Sequence, residues 1–415
     1  MSGSRPPLMT LEDAWQQLLA HASVLPAVDC ETLHATGRVL RQDGVAELDV
    51  PGFDNSAMDG YAVRAAQAQP GARLPVTQRI AAGHAAAPLA PGEAARIFTG
   101  APLPAGADAV LMQEDTQAQD DGTVLLQAGA QAGQFVRRRG EDMARGDVVL
   151  RAGTRLLPAH VGLAASMGMA RVVVGQAPRV ALFSTGDELV MPGTVAPCDM
   201  APGAIYNSNR YFLRALLQQA GCDVTDMGIV PDSLSATEAA LADAARAHDL
   251  VLTSGGVSVG EEDHIKSAVQ ALGQLTLWSL NIKPGKPFAY GRLGRNGQAG
   301  AHFIGLPGNP VSSFVTFVLL VQPFVMALQG ARLGGLRHRV GQARFDWPRP
   351  DKRREFLRVR LHPDAGVTCF ENQSSGVLTS LAWADGLLDN PPGQVIRRGD
   401  AVRVIALDQP WAQEG

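Results

Sequence analysis

Cysteine is scarce in this chain: four residues in 415, at Cys30, Cys198, Cys222 and Cys369, with no C-x-x-C pair. That spacing supports neither a zinc ribbon nor a thioredoxin-like redox motif, and so few thiols suit a reducing cytoplasm. A basic excess is missing too. Lys and Arg number 36 against 40 Asp and Glu, a formal charge of −4, whereas a nucleic-acid binder usually carries a basic stripe. Charged residues make up 18%, too few for a disordered chain or a long coiled coil. No strictly apolar stretch approaches the ~20 residues of a transmembrane helix. The uncharged segment 303–331, which contains FVTFVLLV, is interrupted by Pro307, Asn309, Pro310, Gln322 and Pro323, and a buried helix is expected there rather than a membrane span. The first residues, MSGSRPPLMTLEDAWQQLL, lack an apolar core before Glu12 and Asp13, so a signal peptide is not expected. There is no G-x-x-x-x-G-K-[ST], no G-x-S-x-G elbow and no histidine cluster at metal-ligand spacing, which weakens P-loop and nucleophilic-hydrolase readings.

What is present is ample apolar material, 46% of residues, and a length that predicts two to four domains. Gly 45 and Pro 27 imply many turns and close backbone approaches. Thr10-x-x-Asp13 reads as a capping box ahead of a helical period through Leu19. Residues 44–146 are rich in turn signals such as PGFDN, APGE and RGED, which predicts short strands. A helical patch follows at 158–169. From about Pro178 the pattern alternates: VALFS (180–184), an amphipathic helix over 207–220 stopped by Gly221, a strand CDVTDMGIV, a helix opened by a Ser235-x-x-Glu238 capping box, DLVLTS (249–254), a helix from Asp263 to Leu272, FIGLP (303–307), and a helix from Pro310. Apolar strands alternating with helices predict an α/β fold with a doubly wound, mostly parallel sheet. The tail from about 332 returns to strand signals, EFLRVRL, GVTCF and AVRVIAL, and predicts a small C-terminal β domain.

In open α/β sheets, ligands bind at the carboxyl ends of strands. Four such ends carry unusual residues: Ser184-Thr185-Gly186-Asp187-Glu188, Pro231-Asp232, Ser254-Gly255-Gly256 through Ser258 to Asp263, and Pro307-Gly308-Asn309-Pro310. The glycine loop 255–260 lets N–H groups approach an anion at a helix start; on spacing alone it fits a phosphate cradle and a plain strand–helix turn equally. Lys283 and Lys286 lie on a proline-stiffened NIKPGKP loop, suited to an anionic ligand or simply solvated. Glu188, Asp232 and Asp263 are carboxylates of the kind that hold Mg²⁺ beside phosphate, and Asp263 also reads as a helix N-cap. In the β-rich segment, Asp54, Asn55, Ser56 and Asp59 crowd six positions. Thr99-Gly100 and Gly140-Glu141-Asp142 are similar patches; each alone reads as a turn.

Eight blocks taken together resemble the MoeA family of molybdopterin molybdenumtransferases and the related E domains of gephyrin and plant homologues: PGFDNSAMDGYAV (51–63), IFTGAPLPAGADAVLMQED (97–115), GEDMARGDVVL (140–150), VALFSTGDELV (180–190), IYNSNRYFLRALLQQAGC (205–222), LTSGGVSVGEEDH (252–264), IKPGKPFAYG (282–291) and LPGNPVSS (306–313). The resemblance implies a helical linker and dimerisation region at 1–45 and 147–178, an inserted β-rich domain at 46–146, a MogA-like α/β domain at 179–330 and a β-barrel-like domain at 331–415. It implies insertion of molybdate into adenylylated molybdopterin with release of AMP, dependence on Mg²⁺, and a homodimer whose active site is shared between subunits. Asp59, Asp142, Glu188, Asp232 and Asp263 would be catalytic. Asp187, Glu188, Asp232 and Asp263 would hold the metal. Thr99, Gly100, Ser184, Thr185, Gly186, Ser254, Gly255, Gly256, Ser258, Lys283, Lys286, Pro307, Gly308, Asn309 and Pro310 would bind the pterin substrate, and Lys283, Arg353, Arg354 and Ser375 would bind molybdate. A MogA-like adenylyltransferase and molybdoenzyme chaperones are the implied partners, in the cytoplasm, with no nucleic acid or membrane. Ser279 departs from the lysine the family often has there. An adenylyltransferase and a non-enzymatic scaffold are the alternative readings.

Overall fold

The runs VALFS, LVLTS and FIGL are continuously apolar because their strands are covered on both faces. In the computed structural model, which describes residues 8–256, 264–294 and 300–413, they form the centre of a six-stranded sheet. Its strands are β1 (Arg179–Thr185), β2 (Asp223–Val230), β3 (Leu250–Ser254), β4 (Gly273–Ser279), β5 (Pro287–Leu293) and β6 (His302–Leu306), in the order β2-β1-β3-β6-β5-β4. The pairings β1–β2, β1–β3 and β3–β6 are parallel; β5 and β4 add an antiparallel edge. Period-two alternation divides the side chains. Val180, Leu182, Leu250, Leu252 and Ile304 pack with Leu213 and Leu217 of helix α1 (Asn209–Gln219). Ala181, Phe183, Val251 and Phe303 pack on the other face with Leu241 of α2 (Leu234–Ala247) and Val269 of α3 (His264–Leu272). The strand order switches sides at β1, with β2 on one side and β3 on the other, so helices cover both faces and the C-terminal ends of β1, β2, β3 and β6 share one edge.

Two local expectations shift. The second helix is capped by Ser233, whose Oγ accepts from the Ala236 N–H at 3.3 Å; Ser235 lies inside the helix, so the capping box read at 235–238 is misplaced by two residues. The helix read over 207–220 spans Asn209–Gln219, and Gly221 ends it with φ +83°. The Thr10 cap stands: its Oγ1 accepts from the Asp13 N–H at 3.1 Å. The apolar segment Pro310–Leu328, α4, is long enough to cross a membrane by length and composition, but 83% of its 18-residue apolar window is buried inside the protein, as a core helix would be. Among the described residues it is the one candidate span.

Beyond α4 the tail closes on itself. Strands His338–Ala343, Arg354–Leu361, Gly366–Cys369, Gly386–Asn390 and Ala401–Ala406 pair in a ring, with Arg354–Leu361 bonded to Gly386–Asn390 to complete it. The two-residue strand Ile282–Lys283 adds to this barrel in parallel with Arg354–Glu355. These parts, with residues 8–42, 152–158 and 171–178, make one compact unit; 43–151 and 159–170 make a second. The second unit holds another six-stranded sheet, built from Gly60–Val63, Arg73–Ile80, Ala94–Ile97, Ala109–Met112, Thr116–Ala118 and Thr123–Leu126, over a core that includes Val63, Leu111 and Leu126.

His302 on β6 is buried, its Nδ1 2.9 Å from the Tyr290 hydroxyl and its ring against the Arg292 guanidinium. Burial, then the Arg292 and His21 charges, push its pKa down to about 3. The unfolded imidazole titrates near 6.5 and binds a proton that the folded one refuses, so stability is full above that pH and falls as pH drops toward 3. The expected loss between pH 7 and 5 is about 2 kcal/mol from this group. Urea midpoints at the two pH values measure it; an equal pH dependence in His302→Gln would refute the assignment.

Candidate functional site

At the C-terminal edge of the parallel sheet, the start of α1, the end of β3 and the loop after β6 are tied together by a side chain the sequence motifs did not single out. Asn209, at the first turn of α1, donates from Nδ2 to Ser254 Oγ at 2.8 Å and to the Gly308 carbonyl at 2.7 Å. Ser313 donates to the Pro307 carbonyl, and the Gly255 N–H donates to Leu306 O at 3.0 Å. Gly256 sits at φ +66°, where a Cβ would lie 2.6 Å from Ile265 and 3.1 Å from Thr185 Oγ1, so both conformation and space demand glycine. Ser184 and Thr185 end β1 and are buried. The N-terminus of α4 opens on the same edge, with Pro310 at its first position and Asn309 at its cap. Its N–H groups and those of α1 give the edge two positive dipole ends.

The expected carboxylates lie on this rim. Asp187, Glu188 and Asp232 are exposed at the ends of β1 and β2. Glu188 folds back over Gly186, where a Cβ would meet its carboxylate at 2.5 Å. Among the described residues no three His, Cys, Asp or Glu side chains are grouped closely enough to hold a metal. Ser258 and Asp263 lie outside the described residues.

Lys283 and Lys286 separate in space. The Lys286 side chain is exposed. Lys283, on its strand against the barrel, reaches Asp351 at 3.3 Å and Glu355 at 3.4 Å. It lines a cavity of about 230 Å³ with Trp347, Glu355, Arg358, Gln373 and Ser374. The arginines offered for molybdate are both engaged. Arg353 grips Asp351 from Nε and Nη2, each at 3.1 Å, and with Lys283 holds that carboxyl well below its ordinary range. Arg354 forks onto Asp389 at 2.6 and 2.7 Å and bonds Glu12 at 2.6 Å; its pKa rises accordingly. Arg354 lines two other cavities, shared with Leu11, Glu12 and Arg403, and not the one that Lys283 lines. Ser375 lends its carbonyl to the Val311 N–H at 3.0 Å, so its segment caps α4.

In the second unit three sequence blocks meet. Asp59 Oδ1 accepts from the Thr99 N–H at 2.8 Å and its hydroxyl at 2.7 Å, which lowers its pKa, the backbone bond first. The Gly100 N–H donates to Ser56 O at 2.8 Å. Asp54 takes Arg138 at 2.7 Å and the Arg139 N–H at 2.8 Å. The Asp142 N–H donates to Val50 O at 3.0 Å, and its carboxylate is exposed.

Asn209, Ser313 and Arg358 escaped the sequence reading. Asn and Ser near a helix start look like caps, and an arginine in EFLRVRL looks like the solvated face of a strand.

Residues 9–168 match the family described as MoeA N-terminal region (domain I and II), 181–327 the probable molybdopterin binding domain, and 340–407 the MoeA C-terminal region (domain IV). A protein of Haemophilus influenzae named molybdopterin molybdenumtransferase is 42% identical over 327 residues, 78% of this chain and 79% of its own. One of the same name from Synechococcus elongatus is 35% identical, covering 96% of this chain and 100% of its own. A crystal structure described as a molybdopterin biosynthesis moea protein from Pyrococcus horikoshii superposes with a TM-score of 0.72 at 31% identity, over 98% of this chain and 100% of that one. On these matches, the chain belongs to the MoeA family.

Proposed function

We propose that this protein inserts molybdate into adenylylated molybdopterin with release of AMP, yielding the molybdenum cofactor. The observation that carries the reading is the sheet edge where Asn209 ties Ser254 to Gly308 beside two helix N-termini. Fixed N–H groups, hydroxyls and glycines at one edge suit a pyrophosphate-bearing substrate, and the curated relatives carry the matching name. Ser184, Thr185, Gly186, Gly255, Gly256 and the 307–310 loop bind the substrate, and Lys286 adds positive charge. Asp187, Glu188 and Asp232, with Asp263 from outside the described residues, are the proposed holders of Mg²⁺. Exposed carboxylate oxygens are the hard donors that ion takes, and it keeps several waters of its own, so a tight three-residue cage is not required. When bound, Mg²⁺ supplies Lewis-acid stabilisation of phosphoryl charge. Lys283 stands at the molybdate end. Asp59, kept ionised by Thr99, offers a fixed acceptor, and Asp142 an exposed one. The division at 1–45 with 147–178, 46–146, 179–330 and 331–415, the homodimer with a shared site, and a MogA-like partner are further parts of this proposal; a monomer by light scattering at assay concentration would remove the shared site. Four free thiols suit a cytoplasmic setting, which cell fractionation tests.

The test is AMP release from adenylylated molybdopterin with and without molybdate and Mg²⁺, followed by metal analysis of the product. Molybdate-dependent release with metal retained is expected, and Glu188→Gln is expected to slow it at least ~10²-fold while leaving the fold intact. Tight binding without turnover would overturn the reading in favour of a carrier.

A further inference from the structure

We propose that Arg79 and Arg96, gathered at the Phe98 ring of the second unit, form a clamp that holds a phosphoryl group of the substrate beside Asp59. This deepens the molybdate-insertion reading and rests on it. The two arginines are opposite each other in register on the parallel strands Arg73–Ile80 and Ala94–Ile97, so their side chains leave the same face of the sheet. The Arg79 guanidinium carbon lies 4.5 Å from the centre of the Phe98 ring, and that of Arg96 lies 4.7 Å from it. Arg96 also reaches the ring of Tyr61, its partner on the neighbouring strand, at 5.3 Å. Its guanidinium is fixed by two neutral acceptors: Nη1 donates to Gly60 O at 2.8 Å and Nη2 to Gln113 Oε1 at 2.7 Å. Among the described residues no carboxylate lies within ion-pair distance of either arginine, whereas Arg138 and Arg139 of the same unit hold Asp54 at 2.7 Å and Asp49 at 2.5 Å.

Like charges directly opposite on neighbouring strands repel, and a sheet ordinarily sets an acid beside them. The acids near in sequence are engaged elsewhere. Glu93 accepts from the Thr77 hydroxyl at 3.1 Å and the Ala90 N–H at 3.2 Å, and Glu114 from Gln113 at 3.4 Å. The Phe98 ring stands in for a counter-ion: it attracts each guanidinium and leaves N–H groups free for a ligand. Arg79 is exposed, and among the described residues it makes no hydrogen bond, so all of its donors are open. Two guanidiniums side by side, one pinned and one open, present paired donors to the oxygens of a phosphate. Their neighbour gives the pair a purpose. Asp59 precedes Gly60, whose carbonyl Arg96 holds. The two Thr99 bonds, and after them the Arg96 charge, keep Asp59 ionised. An ionised aspartate by itself repels an anionic substrate. The arginine pair offsets that repulsion and lets Asp59 serve as an acceptor close to a phosphate.

The experiment measures the Kd of adenylylated molybdopterin by equilibrium dialysis without molybdate, and its KM and kcat in AMP release at saturating molybdate and Mg²⁺, each at low and high NaCl. Arg79→Met is expected to raise Kd and KM about tenfold with kcat little changed, and to flatten the salt dependence of Kd. Arg79→Lys, which keeps the charge without the fork, should fall between. Arg96→Met should raise KM at least as far; because Arg96 also bonds Gly60 and Gln113, the exposed Arg79 is the decisive position should that variant fail to fold. Arg73→Met, an exposed arginine on the same strand as Arg79, should keep wild-type values. Inorganic pyrophosphate should compete with substrate in wild type and about tenfold less well in Arg79→Met; undiminished competition there would overturn the assignment. So would an unchanged Kd and KM in folded Arg79→Met, or a fall in kcat at unchanged Kd, which would reduce the arginines to supports of Asp59; the molybdate-insertion reading would stand in each case. No molybdate-dependent AMP release from wild type would instead overturn that reading itself.

Discussion

Gly60→Ala is expected to lower stability by about 3 kcal/mol or more, through the second unit alone. Gly60 opens a strand bonded on one side to Ala94–Ile97 and on the other to Ala109–Met112. A Cβ there would lie 1.8 Å from the Leu111 carbonyl oxygen and 3.1 Å from the Met112 Cα. Both are backbone atoms held in the sheet, so no rotamer change relieves the clash; a strand must move. The first casualty of such a shift is the Asp59–Thr99 pair, because Asp59 is the preceding residue and its bonds to Thr99 are set by that strand. Denaturation followed by circular dichroism should show an earlier transition, and a midpoint within a degree of wild type would refute the steric argument.

Asn209→Leu is expected to reduce molybdate-dependent AMP release by about 10²-fold, with a stability loss of only ~1–3 kcal/mol. The substitution keeps the side chain's bulk and removes the one group that donates to both Ser254 and Gly308. The Gly308 carbonyl and Ser254 hydroxyl then lose a donor in a buried setting, and the two loops proposed to bind substrate are released from a common post. A displacement of an ångström in a binding loop is enough for a hundredfold effect. The expected signature is a fall in kcat together with a rise in KM for the pterin substrate. Activity within threefold of wild type would show that the loops are held by the backbone alone.

Much of this architecture was legible from residue patterns, for identifiable reasons. Buried parallel strands must be apolar on both faces, so VALFS, LVLTS and FIGL declared themselves. Their carboxyl-end residues could be assigned to one edge because doubly wound sheets put them there, and the structure places Thr185, Val230, Ser254 and Leu306 at adjacent strand ends. Helix starts were less legible. Ser233 and Ser235 are equivalent as cap chemistry, and only the backbone conformation at 233 decides between them. The barrel strands His338–Ala343 and Gly386–Asn390 escaped notice: HRVGQA buries only Gly341 and Ala343 and leaves Val340 exposed, and GLLDN ends in buried Asp389 and Asn390. Those polar residues are buried because Arg354, His338 and Glu355 satisfy them, a long-range pairing that no local period encodes. For the same reason Arg354 looked available when it was committed to Asp389 and Glu12, and Arg358 looked solvated when it was enclosed.

The two-residue strand Ile282–Lys283 runs alongside Arg354–Glu355, so a key lysine of the α/β part is mounted on the C-terminal barrel. Family borders drawn along the sequence separate residues 327 and 340, but this pairing and the cavity beside it cross that seam. An engineer who exchanged the barrel for a relative's, or expressed the α/β part by itself, would move one wall of that cavity away from the lysine that lines it. Any such chimera needs Ile282–Lys283 and Arg354–Glu355 to be taken from the same parent, as one inherited piece that happens to be written in two places along the gene.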